Sequence, residues 1–171
     1  MKCAVVLLVN NFRELDELYG FDYTFRSLAN SGLSEPFYVL IADGFKRLPW
    51  RFVSRWKTER IHIVDASSVV ETLLADYPYL RELAAKRTFR ITFLRHLILE
   101  RFFSGEAVLS ADLDIVWRVD PYRLFGTWRE GFFAWSGSGF LTYDDSPEWF
   151  QTYRAGLESV IRGGELTADF A

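Results

Sequence analysis

The segment Val108-Leu-Ser-Ala-Asp112-Leu-Asp114-Ile-Val-Trp117 decides how this chain is read, because an apolar run delivers two carboxylates one residue apart and then resumes as apolar sequence. In an extended chain, residues two apart point to the same face and lie about 6.5 to 7 Å apart along the strand. At a strand end, where the backbone begins to bend, two such carboxylates can lean toward one hard divalent cation. Oxygen ligands select magnesium or manganese, and an ion completed by phosphate oxygens and water neutralises a diphosphate leaving group. Asp112 and Asp114 are therefore candidate metal ligands. The tripeptide alone is common by chance, and its plain reading is a strand end with one capping and one solvated Asp. The flanking sequence has to separate the two.

Immediately upstream, the spacing of Phe89, Phe93 and Leu97, with Leu94 and Ile98 beside them, predicts a long amphipathic helix from about Leu80 to Phe103, stopped at Ser104-Gly105. It leads into a strand over Ala107 to Ala111. Further back, Cys3 to Val9 and Phe37 to Ala42 are continuous apolar runs of the kind buried on both faces in parallel sheets. A helix over Asp22 to Asn30 connects them, so a right-handed crossover and a parallel pair are expected. Ile61 to Val64 reads as a third strand ending at Asp65, and Ser68-Val-Val-Glu71 has capping-box spacing for a helix that Tyr77-Pro78 breaks. Asp112 and Asp114 thus fall at the carboxyl end of a fourth strand, where open α/β sheets bind ligands.

Residues 45–60 are harder to read. Pro49 interrupts any long helix, and Lys46, Arg47, Arg51, Arg55, Lys57 and Arg60 stand against only Glu59, interleaved with Phe45, Trp50 and Trp56. One reading is a solvated connection packed down by its aromatics; the other is a contact to an anionic acceptor or a membrane surface.

Downstream of the pair, Asp120-Pro121 reads as an N-cap with Pro at the first helical position of a short turn to Phe125. Phe132 to Trp135 and Phe140 to Tyr143 read as short strands around Gly137-Ser138-Gly139, whose glycines allow close backbone approach to a ligand or another strand. Ser146-Pro147-Glu148 caps a last helix with Phe150, Tyr153, Leu157 and Ile161 on one face.

The 171 residues suit one domain, half of them hydrophobic and 18% aromatic, which excludes disorder. The net charge of −3 gives no reason to expect nucleic acid as a partner. Cys3 is the one cysteine and cannot form an internal disulfide, and no apolar run is long enough to span a bilayer, so the expectation is a cytoplasmic protein with at most peripheral membrane contact. The chain stops at Ala171 without a polar tail, which reads as the front part of something longer.

Together these segments resemble the nucleotide-sugar-binding half of a GT-A-fold glycosyltransferase. Thr88-Phe-Arg-Ile-Thr-Phe-Leu-Arg95-His-Leu-Ile is similar to the Arg-bearing helix before the metal strand, and Val108 to Val116 to the hydrophobic strand with the Asp-x-Asp signature. Asp120-Pro-Tyr-Arg-Leu-Phe125 resembles the short helix that follows, and Trp135 to Leu141 the later strand with small residues near the donor sugar. The resemblance covers residues 1 to about 161 and implies a GT-A-like, Rossmann-like α/β domain: a mostly parallel sheet flanked by helices with a short mixed-sheet C-terminal part. It implies transfer of a sugar from a nucleotide-diphosphate sugar, with UDP-sugar favoured, to an acceptor hydroxyl, aided by Mn2+ or Mg2+ at Asp112 and Asp114. Asn10 and Asn11 would lie near the base and ribose, Arg95 near the diphosphate or bracing Asp112, and Gly137, Ser138 and Gly139 near the sugar.

The chain departs from that pattern. Many members carry a late metal-binding His, whereas His62 and His96 both precede the pair and read as structural. A late acidic residue often lies near the transferred sugar; Asp169 is the candidate, third from the end of the sequence. Two other readings stay open. One is a non-catalytic or incomplete nucleotide-sugar-binding module. The other is a haloacid-dehalogenase-like phosphatase, whose Asp-x-Asp belongs on the first strand of its domain, whereas over a hundred residues precede Asp112 here.

Overall fold

The valine- and leucine-rich run near the N-terminus forms β1 (Cys3–Val9), and its alternate side chains are shielded by helices on both faces. The computed structural model describes residues 3–9, 22–81, 87–104, 106–112, 115–126, 133–135, 140–143 and 147–163. After β1 come α1 (Asp22–Asn30), β2 (Phe37–Ile41), a 3-10 turn (Phe45–Arg47), α2 (Trp50–Trp56), β3 (Ile61–Asp65) and α3 (Ser67–Asp76). Then follow α4 (Arg87–Phe103), β4 (Ala107–Ala111), α5 (Arg123–Gly126), β5 (Phe133–Trp135), β6 (Phe140–Tyr143) and α6 (Pro147–Arg162).

The strands lie in the order β3-β2-β1-β4-β6-β5. The first four are parallel, with Leu7 opposite Val39 on one side and opposite Ala111 on the other. β6 pairs antiparallel with β4, Ser110 facing Leu141, and β5 pairs antiparallel with β6. The sheet is α/β and mostly parallel, with a mixed part toward the C-terminus, as the sequence led us to expect.

Strand alternation sorts the core into two layers. Val5, Leu7, Val9, Val39, Leu109 and Ala111 pack under α1 and α2 with Phe25, Leu28 and Trp56. Ala4, Val6, Leu8, Leu40 and Val108 pack under α3, α4 and α6 with Leu73, Leu97, Ile98 and Leu157. Asp112 continues the parity of Val108 and Ser110, which assigns it to the α4 side.

Three local readings need correction. A helix, α2, stands where the Pro49 break suggested a plain connection: Pro49 occupies its N-cap, and Phe52, Val53 and Trp56 turn inward. The N-terminus of α3 is held by Asp65, whose Oδ1 accepts from the backbone N–H and the hydroxyl of Ser67 at 3.0 and 2.6 Å, and not by a box at Ser68. The short helix after Asp120 spans Arg123–Gly126, preceded by a turn in which the Asp120 carboxylate accepts from the Tyr122 N–H at 3.1 Å. The helix expected from Leu80 is described from Arg87, with residues 82–86 outside the described set.

Past the strand end, the backbone of residues 115–122 crosses the α1 face to the opposite end of the sheet, where β2 begins. The Trp117 N–H donates to Ser27 Oγ at 2.9 Å, and the indole meets the Phe37 ring edge-on at 6.0 Å. At the far end Asp120, 7% exposed, accepts from the Ser34 N–H at 3.1 Å. The Tyr122 hydroxyl accepts from the Val5 N–H at 3.2 Å and donates to the Pro36 carbonyl. Tyr122→Phe strands both backbone groups in a part-buried setting and should cost about 2 kcal/mol. Urea unfolding of the variant checks this, and a loss under about 0.5 kcal/mol would show that solvent satisfies them instead.

Candidate active site

Asp112 follows β4 directly, so the pattern that ends the strand also sets the position of its carboxylate. The strand order gives that position its meaning. From β1 the chain moves outward in one direction to β2 and β3, then returns to the other side of β1 to form β4. The strand order therefore reverses between β1 and β4, and open α/β sheets bind ligands in the crevice at the carboxyl ends of such a pair. Asp112 stands at the carboxyl end of β4, next to the carboxyl end of β1.

Arg95 reaches Asp112 from α4. Its Nη2 donates to Asp112 Oδ1 at 3.2 Å, with the Arg95 side chain 18% exposed and that of Asp112 42% exposed. The helix supplies the reach: α4 lies over the face that Val108, Ser110 and Asp112 share, and Leu94, Leu97 and Ile98 seat it there. One carboxylate oxygen is thus oriented by a guanidinium while the side chain stays open to solvent. Orientation of a ligating carboxylate by a neighbouring donor is the usual support of a metal ligand.

Below the pair the apolar layer is interrupted. Ser110 is fully buried, and neither its Oγ nor Arg95 Nε has a hydrogen-bond partner among the described residues. Sequence reading passed over Ser110 because it sits inside an apolar run. Its parity with Asp112 is the signal that would have placed it under the site.

Among the described residues no group of three or more His, Cys, Asp or Glu side chains is placed to hold a metal ion. A cation bound mainly by phosphate oxygens and water needs only one or two carboxylates from the protein. Asp112, part exposed and with only one oxygen engaged by Arg95, suits that role. Asp114, Asn10, Asn11, Gly137, Ser138, Gly139 and Asp169 lie outside the described residues.

The two histidines serve packing. His62 places Nε2 3.1 Å from the Glu59 carbonyl and meets Tyr38 edge-on. His96, beside Arg95, packs its ring against Tyr153 of α6 at 4.8 Å. Burial, and secondarily the Arg95 charge, push the His96 pKa down to about 4 from its usual 6.5. The unfolded chain therefore binds a proton that the fold rejects as pH falls between those values, so stability should drop with acidification by up to about 3 kcal/mol. His96→Leu should flatten that part of the pH dependence, measured by urea unfolding between pH 6.5 and about pH 4. An unchanged slope would assign the acid sensitivity to carboxylates elsewhere.

No protein-family model matches the chain, and no curated protein matches it in sequence. Solved structures do match in shape. The crystal structure of the glycosyltransferase GlyE from Streptococcus pneumoniae TIGR4 superposes with a TM-score of 0.53 at 17% identity, over 94% of this chain. The chain has a glycosyltransferase-like fold. The apo form of GlyE gives a TM-score of 0.47 at 16% identity over 95% of the chain. The chain spans 39% of the length of GlyE in each case. Within this glycosyltransferase-like fold, no helix among the described residues is long and apolar enough to cross a membrane.

Proposed function

We propose that the chain is the donor-binding unit of a metal-dependent glycosyltransferase, moving a sugar from a nucleotide-diphosphate sugar to an acceptor hydroxyl. The observation that carries this reading is the Arg95-braced carboxylate of Asp112 at the β1/β4 reversal point. The glycosyltransferase-like fold supports it.

In this reading Asp112 and Asp114 hold Mn2+ or Mg2+, which supplies charge neutralisation of the departing nucleoside diphosphate. Arg95 fixes the Asp112 carboxylate in one orientation, so that the ligand is set before the donor arrives. Its guanidinium adds positive charge on the side where phosphate oxygens collect. Asn10 and Asn11, which follow β1, sit in the sequence where they would meet base and ribose, and Gly137, Ser138 and Gly139 where a small-residue backbone would approach the sugar. Asp169 is the acidic candidate for the acceptor side.

The test is calorimetric titration of UDP, then GDP, with and without manganese. Manganese-dependent binding of UDP is expected. Binding of neither nucleotide by the folded protein would remove the donor-site reading. Nucleotide binding without transfer to any of a panel of hydroxyl acceptors would reassign the chain to a non-catalytic nucleotide-sugar-binding module.

A further inference from the structure

The cationic, aromatic stretch before β3 takes no part in the site just described. Folding of α2 resolves it into two sides. Phe52, Val53 and Trp56 face the core, whereas Trp50, Arg51, Ser54 and Arg55 are exposed, at positions that fall on one side of a helix. Trp50 is 73% exposed, more than the other exposed large hydrophobic residues among those described, and the Arg51 guanidinium lies 5.8 Å from the centre of its ring. Arg55 is pinned over Trp56 at 4.7 Å and to Asp22 at 3.5 Å. Core packing accounts for Trp56 and Phe52 but gives no reason for an indole in water beside an arginine. Charge is equally uneven: residues 45–60 carry six cations against one acid in a chain whose net charge is −3.

We propose that the outer side of α2, with Lys46 in the turn before it, docks on an anionic lipid bilayer. Trp50 enters the headgroup layer, where an indole is apolar on its faces and can donate at its N–H. Arg51 and Lys46 lie against lipid phosphates, where each cation adds to attraction by the negative surface. A planar anionic surface meets a single side of the molecule and leaves its acidic remainder turned away, whereas a flexible polyanion that wraps the protein meets both. At seven residues α2 is far too short to insert across a bilayer, so the contact is superficial and reversible. The helix follows β2, on the side of β1 away from β4, the strand that leads to Asp112. The inference does not depend on sugar transfer and can fail or stand without it.

Co-sedimentation with vesicles tests it. Wild-type protein should pellet with equal parts phosphatidylcholine and phosphatidylglycerol, not with phosphatidylcholine alone, and should be released as salt rises. Arg51→Glu should weaken the binding about tenfold, with Trp50→Ala weakening it clearly as well. Both variants should keep the wild-type melting temperature, since neither side chain is buried. Failure to pellet with the anionic vesicles, equal pelleting with neutral ones, or wild-type binding by both variants would overturn the proposal. So would retention on heparin that both variants lose, in a protein that ignores vesicles, because that result assigns the patch to a soluble polyanion.

Discussion

Asp112→Asn should abolish manganese-dependent binding of a nucleoside diphosphate while leaving the protein folded. The substitution keeps an oxygen that can accept the Arg95 hydrogen bond, now made at 3.2 Å, so the local geometry has no reason to collapse. What it removes is the negative charge on which a hard cation depends, and loss of a metal bridge to a diphosphate costs several kcal/mol of transition-state stabilisation. Because the Arg95–Asp112 pair is part exposed, its own share of fold stability should be within about 1 kcal/mol. The variant should therefore melt close to wild type. Arg95→Ala separates the two roles of the arginine: reduced donor affinity at unchanged stability places it in donor binding, and the reverse result places it in packing. Calorimetric titration with and without manganese, paired with thermal melts, checks both. Wild-type affinity in Asp112→Asn would eliminate the metal-site reading.

Phe25→Ala should be the most damaging single truncation in the α1/α2 layer. Phe25 is fully buried, meets Phe52 edge-on at 5.2 Å and lies against Trp56 at 5.5 Å, so one ring joins two helices to the sheet. Removing it leaves a cavity costing about 3 to 5 kcal/mol, a large part of the about 5 to 15 kcal/mol that holds a typical domain. In a chain of 171 residues that corresponds to a fall in melting temperature of roughly 10 °C. A helix of seven residues has little stability of its own, so α2 should loosen first. Thermal and urea unfolding of Phe25→Ala beside Phe25→Leu measures the effect, and a loss below about 1 kcal/mol would mean that the layer closes over the gap.

How much could be read before folding differs sharply among elements, for physical reasons. β1, α1 and β4 have the boundaries that their sequence predicts, because a buried parallel strand is a continuous apolar run and a two-turn amphipathic helix repeats its pattern. α2 was illegible because seven residues hold barely two turns, four of its residues face water, and tertiary docking of Phe52 and Trp56 makes the helix. The start of α3 misled for a smaller reason: Asp65, the last residue of β3, lies three residues before Ser68 and satisfies the first turn from there. Asp112 could be singled out from its place at the end of an apolar run. Its neighbour Arg95 is 17 residues away in sequence, and only the packing of α4 over β4 brings the two together. The order of strands, which puts β4 beside β1, is a property of the whole chain and has no local signature.

That strand order also bears on how the molecule is made. β1 is complete by Val9, but the strand that covers its second edge pairs Ala107 with Cys3, roughly a hundred residues later. Closing a loop of that length costs about 4 kcal/mol in chain entropy beyond a constant term. During synthesis at about 5 to 20 residues per second, β1 waits roughly 5 to 20 s between emerging and meeting β4. In that interval β1, β2 and β3 can pair, yet the other side of β1 presents bare N–H and C=O groups along an apolar strand. The nascent chain is thus most prone to aggregate while it is longest without β4, and any factor that shields that edge should raise yield more than one that speeds the helices.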